Sequence, residues 1–233
     1  MLRLLSREAG YITAVFKRAR SGKKAGHTAA AAELLAYSHF TLYRGKGELF
    51  VVDSAQVEEL FFPLRSDIEA LSAGLYFAEL MRTVTPAEER ADAFLRLLLN
   101  SLHLLCKGKP TRQVEAVFTL RLLLLAGYMP DIVCCQQCGT YEGDAMFFSL
   151  VQGNLWCASC AGASAAAMLP VGRSVLHAMR HILYSPFEKC FAFTLSPQGL
   201  SALCEVCERY AMAQLDRGFE TLDFLKRCRS GAF

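Results

Sequence analysis

Residues 134–160 read CCQQCGTYEGDAMFFSLVQGNLWCASC and hold two C-x-x-C pairs, Cys135/Cys138 and Cys157/Cys160. A C-x-x-C places two thiolates on one tight turn, so both sulfurs can reach a single ion. Two such turns face to face supply the four soft ligands of a closed tetrahedral zinc site. Gly139 directly follows the first pair, where the turn needs backbone freedom. AMFFSL and NLWC flank Gln152-Gly153 and read as a short hairpin between the pairs. Together they make a zinc ribbon over about 131–163. Four cysteine ligands leave no position for water or substrate, so the expected Zn(2+) is structural rather than catalytic.

The other thiols have simpler readings. Cys106, Cys190 and Cys228 are isolated and are expected to pack as small hydrophobes. Cys204 and Cys207 repeat the C-x-x-C spacing, but inside LSALCEVCERYAMAQL, where a helical period turns them toward a core. A redox pair at Cys135/Cys138 would need a βαβ setting that the flanking sequence does not supply. Cys134 leaves a second pairing open, with Cys138; Cys135 is preferred because it gives two matched turns and keeps Gly139 in place.

The 233 residues can form one large or two small domains, and 53% of them are hydrophobic, enough for a substantial core. No apolar run reaches membrane-span length, so no membrane association is expected. MLRLLSREAGY lacks the apolar stretch and cleavage pattern of a signal peptide. Ten thiols with four best explained by metal fit a reducing cytoplasm. The net charge of +3 conceals an asymmetry: residues 1–47 carry nine Lys and Arg against Glu8 and Glu33, leaving −4 for the remainder. A basic end on a mildly acidic body suits a polyanion-binding module joined to something else.

That basic end alternates like strands. YITAVFK, ELLAYSHFTLYR and ELFVVDSAQ read as three strands, with a hairpin at Gly45-Lys46-Gly47 and a basic loop between the first two. After Pro63 the period becomes helical. Ser66-Asp67-Ile68-Glu69 opens a helix to about Val84 with Ile68, Leu71, Leu75 and Leu80 among its apolar positions. Thr85-Pro86-Ala87-Glu88 reads as the box opening a second, running to about Gly108. A third follows Pro110 and stops at Gly127; further helices are expected at about 171–184 and, from Ser196-Pro197, at 197–217 with Gly218 as the stop. A short TLDFLKR element closes the pattern. The fold class is therefore α+β: a β module at 1–62, then a helical bundle at 63–233 with the ribbon inserted. His103, His177 and His181 are ordinary helix residues in this reading. No catalytic triad, phosphate-binding glycine loop or H-E-x-x-H pattern is present, and nothing argues for an enzyme.

The ordered set LLSREAGYITAVFKRAR, LYRGKGEL, FFPLRSDIEALSAGLYFAELM, the Leu-rich helix ending GYMP before the cysteines, and LDFLKR resembles the RecO family of bacterial recombination mediators. The resemblance implies an N-terminal OB-fold, a helical domain and a zinc ribbon. It implies binding of single- and double-stranded DNA, strand annealing, and help in loading RecA onto strands coated by single-stranded-DNA-binding protein (SSB), with RecR as a partner and the nucleoid as the place of work. An OB-fold follows phosphates with a basic groove and stacks bases on aromatic faces. Lys17, Arg18, Arg20, Lys23, Lys24, Arg44 and Lys46 are the candidate phosphate contacts, and Tyr37, Phe40, Tyr43 and Phe50 the candidate faces. Family members usually carry about twenty residues ahead of the position matching Leu4-Leu5-Ser6, room for one further strand. The β module is therefore expected to lack its first strand, either because the start lies further upstream or because the barrel is open-edged.

Arg112 and Arg121 lie on the helix after Pro110 beside many leucines. An acidic tail ending in an apolar residue and a carboxylate, as SSB has, needs such a combination of guanidinium and apolar pocket. The rival reading is a zinc-ribbon adaptor that binds protein and touches nucleic acid only weakly. Salt-dependent binding to single-stranded DNA separates the two.

Overall fold

A computed structural model describes residues 1–15, 29–44, 49–87 and 89–231. The chain divides into two units, Met1–Lys107 with Thr221–Phe233, and Gly108–Glu220.

In the first unit, β1 (Leu2–Ser6) and β2 (Gly10–Val15) form an antiparallel hairpin. The hydroxyl of Ser6 accepts from the N–H groups of Glu8 and Ala9, and Gly10 takes a left-handed conformation, so the turn closes tightly. The hairpin's first strand is an addition to the three expected from sequence. β3 (Tyr37–Arg44) and β4 (Phe50–Glu59) pair antiparallel, while β4 runs parallel to β2 through Ala14↔Phe50 and Val15↔Val51. The sheet order is β1-β2-β4-β3, with Ile12, Ala14, Val51 and Val52 buried. The expected strand from Glu33 starts only at Tyr37. The alanines before it make a helical turn instead, with Ala32 N–H and Glu33 N–H bonded to Ala29 and Ala30 carbonyls.

Asp67 caps α1 (Ile68–Val84), its carboxylate accepting from Glu69 and Ala70 N–H at 2.9 and 3.1 Å. The buried face is Ala70, Ala73, Tyr76, Phe77, Leu80 and Met81. Of the apolar positions expected there, only Leu80 is fully buried; Ile68 is 54% exposed, and Leu71 and Leu75 are half-buried. The reason is that Ala73, Tyr76 and Phe77 fix the helix's rotation. α2 (Asp92–Cys106) starts later than the Thr85 box implies. Thr85 instead ends α1, its N–H bonded to Met81, and Glu88 lies outside the described residues. The connection docks on the β1–β2 hairpin through Pro86 O to Tyr11 N–H and Ala91 N–H to Arg7 O.

The second unit opens with α3 (Thr111–Leu125), buried from Gln113 to Leu120. It ends in a paired cap: Gly127 at φ +88°, with Gly127 N–H to Leu124 O and Tyr128 N–H to Leu123 O. A sheet of order β5-β7-β6-β8 follows, from β5 (Asp131–Cys135), β6 (Met146–Ser149), β7 (Asn154–Cys157) and β8 (Leu169–Val171). β6 and β7 make the expected hairpin, and β5 runs parallel to β7. After the short α4 (Ala158–Ala161) come α5 (Arg173–Tyr184) and α6 (Pro197–Leu215). Ser196 caps α6 as expected, but Asp216, not Gly218, supplies the left-handed residue at its end. Ile132, Phe148 and Leu155 of the sheet share one core with Leu120 of α3, Met179 of α5 and Leu203 of α6. Cys190, Cys204 and Cys207 are buried in the same core, as the packing reading required. The last helix, α7 (Glu220–Ser230), belongs mostly to the first unit; Glu79 accepts from Thr221 N–H at 3.1 Å, and Arg229 meets Glu69 at 2.8 Å.

The β6–β7 turn is held by α6. Gln214 donates to Leu150 O and Val151 O, Tyr210 Oη donates to Tyr128 O at 3.0 Å, and Gly153 sits at φ +66° against the Tyr210 ring. A Cβ at Gly153 would lie 2.7 Å from Tyr210 Oη. Gly153→Ala is therefore expected to destabilise the protein by about 1–3 kcal/mol through backbone strain and overpacking. Denaturant unfolding of the two proteins checks it.

Candidate metal centre and nucleic-acid interface

Two turns bring the cysteines together. Cys135 ends β5, its N–H bonded to Thr140 O at 2.8 Å and its carbonyl accepting from Gly139 N–H at 3.0 Å, with Gly139 at φ +71°. Cys157 ends β7, and Cys160 lies one turn on in α4. The parallel β5/β7 pairing and the Gln136 N–H bond to Leu155 O set the two turns side by side. The sulfurs of Cys135, Cys138, Cys157 and Cys160 all lie within 4.8 Å of one another, and Cys138 and Cys157 are 3.6 Å apart. Tetrahedral ligation at Zn–S of ~2.3 Å puts sulfurs about 3.8 Å apart, so the donor set fits such an ion with little movement. Cys134 is not in the cluster, which leaves the matched pairs as the candidate ligand set.

Gathered this closely, the thiols cannot all ionise by themselves. The Thr140 hydroxyl, 3.1 Å from Cys138 Sγ, and the Thr140 backbone hold the Cys138 thiol down at about 6. For Cys135, desolvation raises the thiol, but N–H groups of Cys138, Cys157 and Gln137 outweigh it and the net direction is down. Cys160 absorbs the conflict, pushed up to about 12 by hydrogen bonding with Cys138 and Cys157. A soft dication at the centre would ease that conflict, since each sulfur would bind it as the thiolate and the charge of the set would fall from −4 to −2.

A side chain that no motif announced braces the first turn. Arg180 of α5 donates from Nε to Ile132 O and from Nη2 to Val133 O and Tyr141 O, each at 2.8 Å. Its guanidinium stacks 3.9 Å from the Tyr141 ring centroid, and Nη1 lies 3.9 Å from Glu142. Glu142 also meets His177 and, at 3.8 Å, Arg173. His177 and His181 lie within α5 as ordinary helix residues, His177 exposed and His181 half-buried with its Nε2 2.9 Å from Lys189 O.

The nucleic-acid candidates divide. Lys17, Arg18, Arg20, Lys23, Lys24 and Lys46 lie outside the described residues. Arg44 is exposed at the end of the edge strand β3, 5.8 Å over the Phe50 ring. Among the candidate faces Tyr43 is 46% exposed, while Tyr37, Phe40 and Phe50 are half-buried. His39, two residues from Tyr37 with ring centroids 6.3 Å apart, is an exposed neighbour that sequence reading passed over.

Arg112 and Arg121 are not brought together: nine residues along α3 is half a turn of angle. Arg121 donates Nη2 to Ser185 O, and its Nε is buried with no hydrogen-bond partner. The leucines beside it, Leu120, Leu122 and Leu123, are core rather than surface.

The class of protein that this chain resembles is found among proteins of DNA repair. Residues 65–223 match the family model described as Recombination protein O C terminal. The DNA repair protein RecO of Acetivibrio thermocellus is 32% identical over 227 residues, covering 97% of this chain and 89% of that protein. Those of Alkaliphilus metalliredigens and Symbiobacterium thermophilum are each 28% identical, covering 97% of this chain and 92% and 90% of theirs. The chain belongs to the RecO family. Among the described residues, no helix is long and apolar enough to cross a membrane.

Arg180 is 8% exposed, so its loss leaves three carbonyls without a donor. Arg180→Met is expected to cost about 3 kcal/mol or more, as for a broken buried charged contact. Arg173→Ala, at a side chain 71% exposed, should cost under ~1 kcal/mol. Urea unfolding of both variants makes the comparison.

Proposed function

We propose that this chain is a DNA repair and recombination mediator that binds single- and double-stranded DNA, anneals complementary strands and helps load RecA onto SSB-coated DNA, without catalysing a reaction itself. The observation that carries the reading is kinship across 97% of the chain with proteins named DNA repair protein RecO. The proposed DNA-binding module is residues 1–62, an OB-fold-like sheet. In its favour, β4 returns to pair in parallel with β2 instead of extending the sheet beyond β3, and Tyr43 and Arg44 stand exposed at one edge. Four strands fall one short of the five of an OB barrel among the described residues. The basic residues at 17–24 and 46 join Arg44 as proposed phosphate contacts on charge and family likeness. RecR and the SSB tail are the proposed protein partners. Arg112 and Arg121 stand as two separate proposed contacts to the tail, since α3 turns them to different sides. The proposed setting is the cytoplasm, at the nucleoid.

Complementary oligonucleotides coated with SSB should anneal faster with this protein, followed by fluorescence energy transfer; no acceleration at any concentration would remove the mediator reading. Lys23→Glu with Lys24→Glu should shrink the log–log salt slope for single strands by about 1.4, at ~0.7 per contact. An unchanged slope removes those two contacts.

The metal is proposed to be one structural zinc held by Cys135, Cys138, Cys157 and Cys160. Elemental analysis of freshly purified, reduced protein should give one zinc per chain. Cys157→Ser should lose it and lower the melting temperature, because a structural ion's binding energy is folding energy. Metal uptake should strengthen as pH rises toward neutrality, since the thiols must lose protons to bind.

A further inference from the structure

The first unit carries a pair of cations that no motif marks. β1 and β2 place Leu5 opposite Tyr11 and Arg3 opposite Thr13, so Arg3, Leu5, Tyr11 and Thr13 share one face of the sheet. Tyr11 Oη reaches across that face and donates to Ala78 O of α1 at 3.4 Å. Arg82 lies one helical turn beyond Ala78, on the same side of α1. Both arginines are exposed, and among the described residues neither has a carboxylate partner. The nearby acids are engaged elsewhere: Asp92 with Arg7 and Arg90, Glu8 with Ser6, and Glu79 with Thr221. Burial pushes the Tyr11 hydroxyl up, and Arg82 and then Arg3 pull against it, so both guanidiniums act on one oxygen.

Arg44 belongs to a different surface. Leu2, Ala14, Phe50 and Arg44 lie in register across the four strands, and paired residues share a face. Arg3 neighbours Leu2 along β1 and so points to the opposite face. Two exposed guanidiniums flanking a half-buried aromatic each offer donors to an anion that bridges them. A single small anion satisfies one arginine fork; a chain of linked phosphates satisfies two in succession.

We propose that Arg3 and Arg82, flanking Tyr11 where the sheet meets α1, form a second contact for a phosphodiester backbone, on the face opposite Arg44. This rests on the DNA-binding reading and deepens it: backbone contacts on two faces let one module hold two strands at once, as annealing needs. The Tyr11 proton is committed to Ala78, so the two guanidiniums carry the contact and the tyrosine only spaces them.

The test is the salt dependence of binding to a labelled single-stranded oligonucleotide by the full chain. R3A/R82A should shrink the log–log slope by about 1.4 and R82Q alone by about 0.7, while Y11F leaves it unchanged. The loss should add to that of an Arg44→Ala variant. An unchanged slope in a folded R82Q and in R3A/R82A, with the wild type binding normally, overturns this site and leaves the DNA-binding reading standing. Wild type that binds no DNA overturns both. Inorganic pyrophosphate distinguishes the ligand: if it raises the wild-type melting temperature but not that of R82Q, with DNA slopes unaltered, the site takes small anions and the backbone contact is wrong.

Discussion

The cysteine cluster needs two stretches of chain to end at the same place, and one of them, the first turn, is held from behind by a single buried guanidinium. β5 is an edge strand with a broken register against β7. Such a strand, left to its own ladder, is weakly placed. Arg180 supplies what the ladder omits. It bonds carbonyls on both sides of the first turn, from Ile132 and Val133 before it and Tyr141 after it. The turn is clamped at its base, and the sulfurs at its tip inherit that position. The clamp is credible because α5 is itself fixed by Leu176, Met179 and Ile182 in the common core. An ion bound at the tip would therefore close a framework already held from behind, the arrangement that lets a ligand set be preorganised rather than assembled.

The two halves of the cluster differ in how they are built. Cys135 and Cys138 hang from hydrogen bonds within one turn, with Thr140 supplying both a carbonyl and a hydroxyl. Cys157 and Cys160 are spaced by a single turn of helix. Cys135 and Cys157 are buried while Cys138 is exposed and Cys160 half-exposed. One side of the centre is thus core and the other faces water.

Much of this was open to sequence reading wherever the deciding physics was local. The α1, α3 and α6 starts are set by Asp67, Pro110 and Ser196-Pro197, and the α3 stop by Gly127; each acts within one turn of itself. The cysteine pairs and the Gln152-Gly153 hairpin are equally local. β1 was missed because Leu2, Leu4 and Leu5 do not alternate, and its strand character comes from pairing with β2. The α2 start was misplaced because Thr85-Pro86-Ala87-Glu88 is a good local box whose backbone groups are taken by the β1–β2 hairpin instead. Arg180 was invisible for a related reason: its partners are main-chain carbonyls 39 to 48 residues away, and carbonyls carry no residue identity. The leucines near Arg121 looked like a surface because a helix buried on nearly all sides has no polar face to give it away.

The chain's path between its units has a consequence for synthesis. The first unit is interrupted after Lys107 and completed only by α7, whose Thr221 bonds Glu79 across 142 residues. The second unit is continuous. On a ribosome, the cysteine-bearing unit can close while α1 still waits for its last helix. The module that starts the sequence is thus the later one to finish, and during that interval the α1 surface destined for α7 stands bare. A chain built this way brings its four cysteines together before α1 receives its last partner.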